Sequence, residues 1–225
     1  MQFTFVTLFK ELISGYFTDS ILKRAINANH FTVSYLNPRT YAANKHQKVD
    51  DYAVAGGAGL TMMTQPLYSL FDELKIHSPK AKIIMLTPAG KVFKQNDAVR
   101  LANEEHIVFL SGRYEGIDER VIEKYVDECF AIGDYILTGG ELPSLVICDA
   151  IARNIEGVLG NNASLDEESF NDASLEAPSF TKPAIYDNRG VPPTFMSGHH
   201  KNIIEHKKKM SRAKTRYFRP DLANS

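Results

Sequence analysis

The sequence has no apolar run approaching the roughly 20 residues needed to cross a bilayer, so no membrane span is expected. Its first residues, Met-Gln-Phe-Thr-Phe-Val-Thr, are too short a stretch and too uncharged for a secretory leader, and a cytoplasmic location is expected. Cysteine is scarce. Cys129 and Cys148 are the only two, they form no C-x-x-C pair, and both stand in buried-looking segments. Buried reduced thiols are the expectation for both, rather than a disulfide framework. Zinc lacks a ligand cluster, because the histidines are scattered and His199-His200 has no cysteine companion, so no metal site is expected. Neither G-x-G-x-x-G after a strand nor G-x-x-x-x-G-K-[ST] occurs, which removes a dinucleotide and a P-loop nucleotide from the candidate ligands. No internal repeat is present.

Net charge is also nearly absent, at −1 over 225 residues, but the mean hides an asymmetry. Between His199 and Pro220 there are eight Lys/Arg against Glu205 alone, a local charge of +7, so the remainder carries −8. Lys207, Lys208, Lys209 and Arg212 lie in this run, which is mixed with Tyr217 and Phe218. A charge run can be a solvated helix face. One this long and one-signed points to a phosphate-contacting surface.

The remaining pattern is alternation of strand and helix. Apolar runs predict strands over Phe3–Phe9, Phe31–Leu36, Ala81–Leu86, His106–Leu110 and Glu128–Ile132. Helical periodicity predicts Glu11–Ala28, Gln65–Ile76, Asn96–Asn103, Ile117–Tyr125 and Leu142–Arg153. This order implies an α/β fold, a mainly parallel sheet with helices on both faces. Composition changes sharply after Gly160. Asn161 to Glu176 holds Asn, Ser, Ala and acids without a Lys or Arg, which is linker chemistry, expected to be mobile without a ligand. A helix over Gly198–Lys209, capped by Ser197, opens a small, mostly helical C-terminal part. The expected organisation is a domain over 1–160, a flexible acidic linker over 161–178 and a basic domain over 179–225.

Two of the strands end in glycine one helix apart. His106–Leu110 runs into Ser111-Gly112-Arg113-Tyr114-Glu115-Gly116, and Glu128–Ile132 runs into Gly133-Asp134-Tyr135, with Gly139-Gly140 beyond. Ligands in parallel α/β sheets bind outside the carboxyl ends of strands, where loops let backbone come close. Each glycine alone could serve only a tight turn. Their clustering with charge points to a small-molecule site.

The stretches "GRYEGIDER", "IGDYILTGGELP" and "EGVLG" resemble the signatures of bacterial tRNA (guanine-N1)-methyltransferases of the SPOUT class, and the likeness covers essentially the whole chain. It implies a deep trefoil knot in the sheet, which base rates alone would not suggest. It also implies S-adenosyl-L-methionine as methyl donor, tRNA as substrate and a homodimer with composite active sites. Magnesium assistance is left open. The donor pocket is expected to use Leu86, Thr87 and Pro88 of "LTPAG", where the family has "LSPQG", together with Gly112 and Glu115. Further walls are Ile132, Gly133, Asp134, Tyr135, Ile136 and Leu137, then Gly139, Gly140 and Pro143. Glu176 would join Glu115 in holding the donor's ammonium.

The polar loop Tyr41–Asp51 matches the family's "HxxVDD" followed by glycines, which places His46, Asp50 and Gly59 near the bound guanosine. Val54-Ala55 replaces the usual Tyr-Gly there, which implies a slightly different loop packing. Arg153 matches the catalytic arginine, although a helix-end cation favoured by the macrodipole is the plainer alternative. The family's general base is an aspartate in "(E/D)DSF". This chain reads Glu167-Glu168-Ser169-Phe170, so Glu168 takes that position, with Asp166 as an alternative that needs a register shift. The second linker acid, aspartate in "LLD", appears as Glu176. The reaction implied is methylation of N1 of the guanosine 3′-adjacent to the anticodon. Two other readings remain: a SPOUT methyltransferase acting on ribose, and an RNA-binding protein that lost its chemistry, for which the Asp-to-Glu change is the main support.

Overall fold

The structure is a computed structural model that describes residues 1–160, 168–170 and 174–223. The chain divides into two compact units, Met1–Gly160 and Asn161–Ser225. The first contains β1 (Gln2–Val6), α1 (Glu11–Ser14), α2 (Ser20–Asn27), β2 (Thr32–Leu36), β3 (Asp50–Tyr52), β4 (Leu60–Met62), α3 (Thr64–His77) and β5 (Lys82–Val92). It continues with α4 (Gln95–Leu101), β6 (His106–Ser111), α5 (Glu119–Tyr125), β7 (Glu128–Ala131) and α6 (Glu141–Ala152). The second contains the hairpin β8 (Ile185–Tyr186) and β9 (Arg189–Gly190), then α7 (Pro193–Met196), α8 (His200–Phe218) and α9 (Pro220–Ala223).

Five strands form one parallel sheet in the order β2-β1-β6-β5-β7. Their apolar runs are near-continuous because both faces are covered. Phe3, Phe5, Ile84, Leu86, Ile107 and Phe109 pack on one side with residues of α1, α2, α4 and α6. Val6, Ile83, Met85, Val108 and Leu110 pack on the other with α3 and α5. Alternate residues of one strand therefore supply two separate cores.

Several boundaries differ from expectation, each for a local reason. The Glu11–Ala28 helix is two helices, because Asp19 is extended and its carboxylate caps α2 by accepting the Ser20 N–H at 2.6 Å, which ends the preceding turn. Strand β1 stops at Val6 rather than Phe9, since Thr7 Oγ1 accepts the Phe9 N–H at 3.0 Å and turns the chain. Strand β5 does not end at Leu86. Leu86 and Lys91 both stand opposite Phe130, so Thr87–Gly90 is looped out and pairing resumes beyond it. Gly90 is required there, because a Cβ would sit 2.6 Å from the Phe130 nitrogen.

Helix α8 runs to Phe218 instead of stopping at Lys209, as its Lys- and Arg-rich sequence meets no proline before Pro220. Ser197 does not cap it. That serine closes α7 by donating to the Thr194 carbonyl at 2.8 Å. Cys148 is fully buried and its thiol pKa is pushed well up by that burial, whereas Cys129 is only partly buried, contrary to expectation. The hairpins β3–β4 and β8–β9 went unforeseen. The second turns at Asp187-Asn188, both with positive φ, the geometry that a two-residue hairpin loop favours. Most of the expected linker, residues 161–167 and 171–173, lies outside the described residues.

His106 is a buried polar residue at the start of β6. Its Nε2 lies 2.8 Å from Thr4 Oγ1, its Nδ1 has no partner, and burial lowers its pKa. The unfolded chain therefore binds a proton at higher pH than the folded one. Stability contributed by the neutral ring is complete above the unfolded pKa of about 6.5 and is lost as pH falls toward the folded value. In denaturant titrations from pH 8 to pH 5, the parent should lose more stability than His106→Gln. Parallel pH curves for the two would dismiss this role.

Candidate active site

The cleft of the first unit is built at the carboxyl ends of β5, β6 and β7. It encloses about 300 Å³. The looped-out segment of β5 supplies Leu86, Thr87 and Pro88; the loop after β6 supplies Gly112 and Glu115. The loop after β7 supplies Ile132, Gly133, Tyr135, Ile136, Leu137, Gly139 and Gly140, and Pro143 enters from α6. All of these were singled out from the sequence. Asp134 lies in the same loop, exposed and off the lining, while Met85, Arg113, Tyr114, Gly116, Phe130, Ala131 and Thr138 line the cleft beyond the residues expected for the donor.

Close stapling holds the two glycine loops together. The Gly140 N–H donates to the Gly112 carbonyl at 2.9 Å. A Cβ on Gly140 would lie 2.7 Å from Ser111 Cα, so only glycine allows this approach. Ser144 Oγ donates to the Gly140 carbonyl at 2.7 Å and lies 3.1 Å from Ser111 Oγ. Beneath them sits Glu141, 3% exposed, in the first turn of α6. Its Oε1 accepts from Thr7 Oγ1 at 2.9 Å and from Arg113 Nε at 3.1 Å. Its Oε2 lies 2.9 Å from the same Nε, but without hydrogen-bond geometry. Arg113 also donates to the Thr138 carbonyl at 3.2 Å and lies over the Phe9 ring at 4.6 Å. One buried carboxylate thus joins the end of β1, the loop after β6 and the start of α6, where the helix dipole favours negative charge.

The β3–β4 hairpin borders the Glu115 side. Leu60 accepts the Glu115 N–H at 2.9 Å and Met62 donates to the Gly116 carbonyl at 2.9 Å. Gly59 lies directly against the Glu115 side chain. Asp50 stands on β3 opposite Met62. His46 is exposed in a turn that Asn44 closes by bonding both the N–H and the carbonyl of Lys48. Gly59 is thus brought to the cleft's edge.

Arg153 follows α6, where its N–H donates to the Asp149 carbonyl at 3.1 Å. The Asp149 carboxyl is held above its usual range, by burial first, with Arg153 acting in the opposite sense. Glu168, Glu176, Lys207, Lys208, Lys209 and Arg212 belong to the second unit. There Lys208 and Arg212 line a polar cleft of about 500 Å³ with Ser174, Ser211, Thr215 and Arg216. Glu168 is partly buried, and Glu176 is exposed with its N–H on Ser169 Oγ at 3.0 Å. Asp166 lies outside the described residues. Among the described residues no group of three or more His, Cys, Asp or Glu side chains could hold a metal ion, and no helix is long and apolar enough to cross a membrane.

Glu141→Gln would leave Arg113 with no anionic partner. Thermal or denaturant unfolding should show a loss of roughly 3 kcal/mol, the low end for breaking a buried ion pair because Arg113 keeps some water contact. A loss below about 1 kcal/mol, the scale of an exposed pair, would remove Glu141 from the centre of this site.

A family model described as tRNA (Guanine-1)-methyltransferase TrmD matches residues 1–225. A tRNA (guanine-N(1)-)-methyltransferase of Sulfurimonas denitrificans is 60% identical over 221 residues, covering 98% of this chain and 96% of the relative. Proteins of the same name from Sulfurovum sp. and Campylobacter curvus are 55% and 56% identical, each over 222 residues and 99% of this chain, covering 98% and 94% of the relatives.

Proposed function

The chain belongs to the tRNA (guanine-1)-methyltransferase family, and from that membership we propose which residues carry the reaction and where. The enzyme is a tRNA (guanine-N1)-methyltransferase. The finer reading takes S-adenosylmethionine as donor and N1 of the guanosine 3′-adjacent to the anticodon as acceptor.

The observation that carries it is the cleft at the strand ends. Its volume of about 300 Å³ lies at the small end of the range for ligand pockets. Leu86, Ile132 and Pro143 offer apolar walls for a purine, and the glycine loops present backbone polar groups. Glu115 at the rim offers a carboxylate to the donor's ammonium, with Glu176 as its companion. When bound, the donor supplies an electrophilic methyl group on a sulfonium. Glu168 would take the N1 proton as general base, and Arg153 would hold the negative charge that builds toward O6. Glutamate in place of aspartate keeps the basic carboxylate and adds one methylene of reach. Lys207, Lys208, Lys209 and Arg212 would take tRNA phosphates, while His46, Asp50 and Gly59 would border the guanosine.

We assign these parts to a homodimer in which the cleft of one protomer works with Glu168 of its partner. Support comes from α6, which is apolar on almost every face, a pattern typical of buried helices. Yet Leu142 and Val146 on α6 are 57% and 45% exposed, and Leu12 on α1, the helix packed against α6, is 59% exposed. A second copy would cover this surface. The trefoil knot belongs to the same proposal, supported by the tight crossing of Gly140 on Gly112.

Nucleoside analysis of unmodified tRNA incubated with labelled donor should show label in 1-methylguanosine at the position following the anticodon. Label in a 2′-O-methyl nucleoside would overturn the base-methylation chemistry. Arg153→Ala should keep donor affinity and lose about a hundredfold in transfer rate, the usual scale for one charge-stabilising group. A rate within about threefold of the parent would return Arg153 to a structural role, since an interaction made only in the transition state must show in kcat.

Mixing inactive Glu168→Gln with an inactive cleft variant such as Gly133→Trp should restore activity, because one site of the mixed dimer receives two intact halves. If verified mixed dimers remain inactive, each chain builds its own site.

A further inference from the structure

We infer that Thr215 is a positioning residue for methyl transfer, its hydroxyl fastening the segment that carries Glu168 onto the basic helix α8. This rests on the reading of Glu168 as the general base. Helix α8 is exposed over most of its length and half-buried at Ile203, His206, Lys207, Met210, Ser211 and Lys214; Thr215 alone in it is fully buried, at 4% exposure. It is a β-branched residue amid lysines and arginines, at a position where a longer helix former would be the ordinary choice.

Its hydroxyl explains the burial. Thr215 Oγ1 donates to the Ser211 carbonyl at 2.8 Å and accepts the Leu175 N–H at 2.9 Å. One turn earlier, Ser211 Oγ donates to the Leu175 carbonyl at 2.6 Å. Both backbone polar groups of Leu175 are therefore taken by side chains of a single helix. Such a two-point attachment fixes rotation as well as position, much as a neighbouring strand would.

The rest of the segment closes on this anchor. The Glu176 N–H donates to Ser169 Oγ at 3.0 Å, and the Phe170 N–H donates to the Ser174 carbonyl at 2.8 Å. The Arg219 guanidinium lies over the Phe170 ring at 5.7 Å. Glu168 is the neighbour of Ser169, so its carboxylate inherits the placement that Thr215 and Ser211 impose. Lys208, Arg212 and Arg216 recur every four residues around the same polar cleft. Two of the residues proposed to meet tRNA phosphates, Lys208 and Arg212, thus line the cleft beside the base-carrying segment.

Thr215→Val keeps the shape and removes the hydroxyl, whereas Thr215→Ser keeps the hydroxyl. In the full-length enzyme with unmodified tRNA and saturating donor, Thr215→Val should lower the single-turnover rate at least about tenfold while tRNA Kd stays within about threefold. Amide exchange at Leu175 and Glu176 should quicken, and Thr215→Ser should return all three readouts toward the parent. A parent-like rate in Thr215→Val, or a rate loss matched by an equal loss of tRNA affinity, would overturn the proposal. If Thr215→Val does not fold, Ser211→Ala severs the other half of the attachment and carries the same expectation.

Glu168→Gln, measured alongside, separates this proposal from the reading beneath it. A parent-like rate in Glu168→Gln sinks the base assignment itself, whatever Thr215→Val does. If Glu168→Gln is slow, the double variant should be no slower, because both changes act through one carboxylate. Losses that multiply in full would show that Thr215 acts elsewhere.

Discussion

The buried Glu141 carboxylate is the constraint on which the catalytic unit depends. A charge taken out of water must be met by partners, and here they come from two distant places in the chain, Thr7 and Arg113, while Glu141 itself opens α6. At that point only Thr7 keeps a bond to the sheet, its N–H donating to the Leu36 carbonyl at 3.0 Å. Thr7 lies just beyond β1, Arg113 beyond β6, and Glu141 opens the helix after β7. The ion pair ties the ends of three elements together where the parallel sheet has stopped. Above it, the glycines at 112 and 140 come into backbone contact because neither has a side chain to keep them apart.

The cleft is walled by the loops beyond β5, β6 and β7 together with the strand residues Met85, Leu86, Phe130 and Ala131, and few of its lining residues titrate. The groups assigned to proton and charge handling lie elsewhere, Arg153 beyond α6 and Glu168 in the second unit. On the proposed reading, binding and chemistry have different structural supports: the sheet's carboxyl edge for one, the end of an apolar helix and a basic helix for the other. On the same reading, a glutamate at 168 reaches one methylene further than an aspartate would, and a segment fixed at two points on α8 restricts where that reach can go.

Much of this was legible in the sequence, for physical reasons. Strands buried on both faces must be apolar throughout, so β1, β5, β6 and β7 stood out as runs, while the edge strand β2 showed as an alternating one. Helices packed on one face must repeat their apolar residues every three to four positions, so α3 and α5 did also, and α6 stood out by being apolar nearly throughout. Of the donor-pocket residues named from motifs in the first unit, all but Asp134 line the cleft. The failures have a common origin. Asp19 ending one helix, Thr7 ending a strand and the resumption of β5 after Gly90 each depend on a hydrogen bond or pairing that local periodicity does not encode.

What the sequence determined by itself was the two-sided parallel sheet, the glycine-bearing strand ends, the charge asymmetry and the family. Each is written in residue type and short-range spacing, which no tertiary contact is needed to read. Tertiary structure alone decided that Glu141 is a buried counter-ion, that Gly140 must touch Ser111, and that Thr215 is the one fully buried residue of α8. In each case the partner is 28 to 134 positions away in the chain. A carboxylate, a glycine or a hydroxyl has no fixed role until such a partner arrives, because its free energy is set by what replaces water around it.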